Sequence, residues 1–365
     1  MTEPLNLPET FYCTPKIDFT KRVDTSNVKG KSVIVTGGAN GIGAGCATAL
    51  AEAGAYVTIL DINEDQGNAI AKDLQSKGHH VQFIKTDITS FSSQTTGFKS
   101  AISFSPNSTI DIVLAAAGLT GHNIQSWLDE ATAADSADDP SPPMTATIDV
   151  NLTGLFYNAH LALYYFRKTS TPGNRGTKQL ILVSSLAGYV TLSQIPDYLA
   201  SKFGVRGMWK SLRHAIHILS PSSQPSSQYP LFRTNLIAPT FIQTNMTAAI
   251  EPVLQAMNIE LGNIADVVAG VMRVACDEQV FGRAVAIAAS VKEAGDRNFD
   301  LGDDWEGKDA GEGVLEGIIG GRIRGLEIVG LPEYRHRAEG KEEGKEEGKE
   351  EGKEEGKAWN KRINV

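Results

Sequence analysis

Tyr198 and Lys202 stand four residues apart in YLASK, and Ser185 in SSLAG precedes the tyrosine by thirteen residues. A free tyrosine ionises only near pH 10, at about its reference pKa, which is too high for a base at neutral pH. A lysine one helical turn away shares the tyrosine's face of the helix, and its charge favours the phenolate. Tyr198 is therefore a candidate base for a hydroxyl proton, with Lys202 as the group that lowers its pKa. Residues 179–183 (QLILV) read as a strand, so Ser185 falls on the loop beyond a strand end. There its hydroxyl can hold a substrate oxygen while a hydride leaves the adjacent carbon.

A hydride needs an acceptor, and the chain offers a place for one about 160 residues upstream. Residues 31–36 (KSVIVT) read as a buried parallel strand, residues 43–54 (GAGCATALAEAG) as a helix of small and apolar residues, and TGGANGIG at 36–43 joins them. Gly37, Gly41 and Gly43 allow backbone angles closed to other residues and let the main chain approach a pyrophosphate. The helix amides that follow then face its negative charge. The next strand, residues 56–62 (YVTILDI), carries Asp61 about 20 residues past the turn, where a carboxylate accepts from the adenosine ribose hydroxyls. Asp61 would repel a 2′-phosphate, and neither Ala39 nor Asn40 supplies a cation for one. NAD is expected rather than NADP.

Thr-Gly-x-x-x-Gly-x-Gly, then Ser, then Tyr-x-x-x-Lys, in this order, resembles the short-chain dehydrogenase/reductase family in its single-domain branch. The likeness runs from about residue 28 to residue 290. It implies a Rossmann-type α/β fold, a doubly wound parallel sheet with helices on both faces. It also implies that Ser185, Tyr198 and Lys202 are catalytic and that Asn151 in DVNLTG anchors a proton-relay water. Ser185 is preferred to Ser184 because it sits in the Ser-x-x-Gly frame at the family's spacing. The cofactor contacts implied are Thr36, Gly37, Asn40, Gly41, Ile42, Gly43, Asp61, Asp87 at the end of the third strand, Ile88, Ala117, Gly118, Tyr198, Lys202, Pro239, Ile242 and Thr244.

Two departures from the family pattern stand out. Ala115-Ala116-Ala117-Gly118 replaces Asn-Asn-Ala-Gly, so side-chain hydrogen bonds that tie the fourth strand to its neighbours are missing and local stability is in question. Pro239-Thr240 replaces Pro-Gly, which restricts the backbone beside the nicotinamide.

The 365 residues, 41% hydrophobic, suffice for a large core. The expected divisions are an N-terminal arm (1–27), the catalytic domain (28–290), a C-terminal extension (291–338) and a disordered tail (339–365). In that tail KEEG repeats four times from 341 to 356 and supplies −4 of the net charge of −9. A glycine in every repeat opposes a helix, and nothing apolar is present to bury. The acidic balance disfavours nucleic acid as a partner. No run approaches a membrane span, and MTEPLNLPET lacks a secretory pattern, so a cytoplasmic protein is expected. Cys13, Cys46 and Cys276 read as free thiols, and the seven histidines as surface or helix positions without metal-ligand spacing.

Residues 119–147, with GHNIQSW and the acidic SADDPSPP, form a long connection beyond a strand end and are expected to border the substrate. In residues 246–261, Met246, Ile250, Val253, Leu254 and Met257 recur at helical spacing. That stripe either forms an apolar lid or packs on the core. PSSQPSSQYP at 221–230 reads as a surface loop. By analogy a homodimer or homotetramer is expected through the helices carrying Asn151 and Tyr198, with LALYYF at 161–166 suited to the contact.

The expectation is NAD-dependent, reversible oxidation of a secondary alcohol on a small lipophilic or aromatic metabolite to a ketone. The alternatives are an NADP-dependent carbonyl reductase, or a non-catalytic dinucleotide-binding scaffold or sensor, which intact Ser185, Tyr198 and Lys202 argue against.

Overall fold

The structure, a computed structural model, describes residues 16–133, 142–170, 177–190, 195–213, 232–256, 259–288 and 297–301. Cys13, residues 136–141 of SADDPSPP, residues 221–230, His214, His217, Met257, and the extension and tail from residue 302 lie outside the described residues.

Strands β1 (Ser32–Thr36), β2 (Tyr56–Asp61), β3 (Val81–Lys85), β4 (Ile112–Ala115), β5 (Lys178–Val183), β6 (Phe232–Pro239), β7 (Ala284–Ile287) and β8 (Asn298–Asp300) form one sheet in the order β3-β2-β1-β4-β5-β6-β7-β8. All pairings are parallel except β7 with β8. The parallel sheet is as expected, and β8 corrects it at one edge, where the chain turns back upon β7.

Successive residues of β1 explain the layering. Val33 and Val35 face a core shared with α1 (Gly41–Glu52), α2 (Glu64–Ser76) and the late helix Ile264–Cys276. Ile34 faces the opposite core, which includes Phe98 from α3 (Phe91–Phe104) and, from later helices, Tyr165 and Trp209. With both faces covered, every residue of β1, β4, β5 and β6 is buried, which is why β4 and the later part of β5 read as apolar runs. The strands β5 and β6 also bury polar residues, such as Lys178 with Asp111 as its hydrogen-bond partner. The order reverses direction between β1 and β4, opening a crevice at the carboxyl ends of the strands.

After β4 come α4 (Ile124–Ala133), then α5 (Ala146–Ile148), a π-helical turn (Asp149–Gly154) and α6 (Leu155–Lys168). α7 (Pro196–Arg213) begins with a proline, whose missing N–H costs nothing at a helix start. Beyond β6 lie α8 (Glu251–Ala256) and α9 (Ile264–Cys276).

In the run 161–166, Leu161, Ala162, Tyr165 and Phe166 are buried in this chain's own core, Leu163 is partly buried against it and Tyr164 is exposed. The boundaries shift slightly: the first strand starts at Ser32, and the first helix runs from Gly41 to Glu52 because Asn40 caps it.

Candidate active site

The glycine turn is close-packed at Gly37 and Gly43. A Cβ on Gly37 (φ +67°) would lie 2.6 Å from Ala117 Cα, and one on Gly43 would lie 2.1 Å from the Gly37 carbonyl oxygen. Asn40 accepts from the Gly41 amide at 2.7 Å. The amides of Ile42 and Gly43, which helix geometry gives no partner, are left at the helix end, where an anion fits. This cradle suits a dinucleotide pyrophosphate.

Asp61 ends β2 beside the turn, its carboxylate accepting from the amides of Ala39 (3.0 Å) and Asn63 (2.9 Å). Lys85 is its register partner on β3, but the ammonium is directed to Glu64 at 3.1 Å. Asp87 lies two residues beyond β3 rather than at its end, and its carboxylate accepts from the Thr89 amide and hydroxyl at 2.9 and 2.7 Å. Ile88 follows, its carbonyl accepting from Gln94 at 2.6 Å.

The concern over Ala115-Ala116-Ala117-Gly118 is resolved by a neighbour. The Thr36 hydroxyl accepts from the Ala116 and Ala117 amides at 3.1 and 3.3 Å, so β4 is tied to β1 through its backbone. Asn151, fully buried in the π turn, adds a second tie. Its Oδ1 accepts from the Leu119 amide at 2.7 Å, while Nδ2 donates to the Leu119 carbonyl at 2.9 Å and to Ser201 Oγ at 3.2 Å.

Tyr198, Lys202 and Ser185 converge at the ends of β5 and β6. The Lys202 ammonium is 5.5 Å from the Tyr198 ring centroid, on the same side of α7, and donates to the Val183 carbonyl at 3.4 Å. Ser185 Oγ donates to the Pro239 carbonyl and accepts from the Ala187 amide, each at 3.1 Å, and lines the same cavity as Tyr198. Ser184 instead turns away and donates to the Lys202 carbonyl at 2.9 Å. Burial raises the Tyr198 phenol above its ordinary value, with the Ser185 side chain pulling the other way. Burial also lowers Lys202 to about 8. Desolvation thus outweighs the expected lowering of the phenol by its cation.

These three residues line a cavity of about 380 Å³ whose other walls include Leu119, Leu186, Val190, Phe241, Met246 and Ile250. The 246–261 stripe divides between its two possible roles: Met246 and Ile250 line the cavity, whereas Leu254 is buried. Among its described residues, 251–256 form a helix, and the 244–247 turn before it is held by the Thr247 hydroxyl donating to the Ile242 carbonyl at 2.7 Å. Pro239, Thr240, Ile242 and Thr244 line the same cavity, and the Thr240 amide donates to Ile287 at 2.8 Å. The backbone that follows β6 is therefore fixed by β7.

Sequence reasoning missed one residue beside the site. His122, taken as a surface or helix histidine, places Nδ1 2.8 Å from the buried carboxylate of Asp197. The available signal was an aspartate immediately before the tyrosine, since a carboxylate at that position needs a donor from elsewhere in the fold.

Residues 31–254 match the family model described as short chain dehydrogenase. The chain is 39% identical over 301 residues to the 5'-hydroxyaverantin dehydrogenase of Dothistroma septosporum (strain NZE10 / CBS 128990), covering 80% of this chain and 92% of that one. It is 36% identical over 320 residues to the NADP-dependent dehydrogenase M3 of Phoma sp. (strain ATCC 20986 / MF5453), covering 85% and 90%. The solved crystal structure of gox2181 superposes with a TM-score of 0.56 at 25% identity, covering 72% of this chain and 95% of that one.

Proposed function

The chain belongs to the short-chain dehydrogenase family and is an oxidoreductase of the CH–OH group; from that premise we propose that it oxidises a secondary alcohol on a lipophilic or aromatic small molecule to a ketone, reversibly. The observation that carries this reading is that Ser185, Tyr198 and Lys202 line one cavity with apolar walls, the Lys202 ammonium 5.5 Å from the Tyr198 ring centroid. The name of the Dothistroma relative, a dehydrogenase of a hydroxylated compound, supports the same direction.

In this reading Ser185 donates to the substrate oxygen and fixes it beside Tyr198. Tyr198, as the phenolate that the Lys202 charge favours, takes the hydroxyl proton and becomes the neutral phenol. A nicotinamide dinucleotide, when bound along the glycine turn, supplies the hydride acceptor. Thr36, Gly37, Asn40, Gly41, Ile42 and Gly43 would hold its pyrophosphate end, while Asp61, Asp87 and Ile88 would flank its adenosine. Ala117, Gly118, Pro239, Ile242 and Thr244 would hold its nicotinamide end. Asn151 fixes Leu119 in the cavity wall and keeps one acceptor position for a relay water.

NAD is the preferred cofactor, because Asp61 presents a carboxylate where a 2′-phosphate would lie and the nearby Lys85 is paired to Glu64. The second reading is NADP, favoured by the printed name of the Phoma relative. Titration with each dinucleotide separates them, and tighter NADP binding overturns the preference. A panel of secondary alcohols, followed by the absorbance of the reduced cofactor, tests the reaction itself. Tyr198→Phe should lose on the order of 100- to 10,000-fold in kcat, the range of general-base catalysis. Undiminished turnover in that variant removes the proposed base.

A further inference from the structure

Asp197, the residue before Tyr198, lies in the first turn of α7 and is only 5% exposed. A carboxylate so buried must find donors. Its Oδ1 accepts from the amides of Tyr198 (2.7 Å) and His122 (3.1 Å). Its Oδ2 accepts from the His122 amide at 3.0 Å and faces the His122 ring Nδ1 at 2.8 Å. With Nδ1 donating to a carboxylate, the ring is held in one orientation. The Thr147 hydroxyl, donating to the Thr120 carbonyl at 3.0 Å, lies 3.5 Å from the same ring nitrogen.

These contacts join three segments that the chain keeps far apart. Thr120 lines the cavity, Thr147 stands one helical turn before Asn151, and Asp197 adjoins Tyr198. The fit between them is close: a Cβ on Gly121 would lie 2.5 Å from Asp197 Oδ1 and 2.6 Å from Tyr198 Cβ. Burial acts to raise the Asp197 carboxyl, but the His122 amide, the His122 ring and the Tyr198 amide outweigh it and hold the group below its ordinary value. It is a charged anchor at neutral pH.

We propose that Asp197 and His122 are positioning residues that clamp residues 119–122 onto the start of α7, keeping the cavity wall and the Tyr198 hydroxyl in one geometry relative to Ser185. The inference rests on the alcohol chemistry proposed above. A small displacement of a base costs rate steeply, whereas the dinucleotide contacts at the glycine turn and at Asp61 lie away from the clamp, so the pair acts on kcat more than on dinucleotide affinity. His122 is the informative position, because replacing its ring leaves the backbone amide contact to Asp197 in place.

The test compares His122→Ala, His122→Asn and Asp197→Asn with wild type by three measurements: NAD titration, turnover of an alcohol that wild type oxidises, and hydrogen exchange at residues 119–122. His122→Ala and Asp197→Asn should exchange about tenfold faster in that loop, the mark of a local opening made easier. They should also lose about 10- to 100-fold in kcat while NAD affinity stays within about twofold. His122→Asn, whose amide reproduces the lost donor, should recover most of the rate. Unchanged loop exchange in both weakened variants overturns the proposal, as does NAD affinity falling in step with kcat, or a rate that His122→Asn does not restore. Absence of turnover in wild type sinks the dehydrogenase reading instead, and the exchange data still decide the clamp.

Discussion

Lys202 shows how one residue can serve chemistry at a cost to stability. Its burial places the folded-state pKa at about 8, below the ordinary 10.5. Below pH 8 the lysine is charged in both folded and unfolded chains, and the full cost of burying that charge bears on the fold. Between 8 and 10.5 the folded chain has released a proton that the unfolded chain keeps, so this contribution to stability rises with pH. Lys202→Met should accordingly be more stable than wild type at pH 7, by on the order of 3 kcal/mol, with the gap closing as pH approaches 10.5. Thermal unfolding across that range checks it, and a gap independent of pH contradicts it. In the sequence, spacing alone placed Lys202 and Tyr198 on one helix face, where the fold brings them together. It gave no measure of burial, which depends on α7 packing against β5 and β6 and here reverses the net direction of the tyrosine's shift.

At the scale of elements, the strand, glycine turn and helix were legible because each has its own local signal: an apolar run, a cluster of glycines and a stretch of small and apolar residues, whereas the Asn40 cap that moves the helix start to Gly41 was not read. Close packing makes the turn's glycines unequal to others in the chain. Gly37→Ala would force a Cβ into Ala117 as well as strain φ, whereas Gly78, also at positive φ (+87°), has nothing within 4 Å of an added Cβ. Gly78→Ala should cost about 1 kcal/mol of stability from backbone strain alone. Gly37→Ala should cost more and weaken NAD binding at least about tenfold, since the pyrophosphate cradle moves with it. Isothermal titration and denaturant unfolding of the two variants decide this, and equal effects would contradict it. The apolar stripes at 161–166 and 246–257 were less legible. Periodicity says that one face is buried but not by what, and here Leu161 and Leu254 meet the chain's own core while Met246 and Ile250 meet the cavity.

At the scale of the whole molecule, the sheet is closed by residues from opposite ends of the described chain. Asp300 on β8 pairs with Arg283, both nearly inaccessible, and also accepts from the Ile17 amide at 2.8 Å. Arg273 of α9 donates to the carbonyls of Phe19 and Lys21 in the same N-terminal stretch. Asp300→Ala would leave a buried guanidinium without its carboxylate, and a loss of roughly 3–5 kcal/mol is expected from urea unfolding. A loss below about 1 kcal/mol, the scale of an exposed ion pair, would show the pair to be solvent-screened. Among the described residues no helix is long and apolar enough to cross a membrane. The sequence by itself determined the α/β class, the glycine turn and the Ser185, Tyr198, Lys202 set, because period, glycine placement and helical spacing are local properties of the chain. Tertiary structure alone decided the antiparallel β8, the tie of Thr36 to β4, and the meeting of His122 with Asp197. Each of these joins residues distant in sequence, and a hydrogen bond between them exists only once the sheet has brought their segments within about 3 Å.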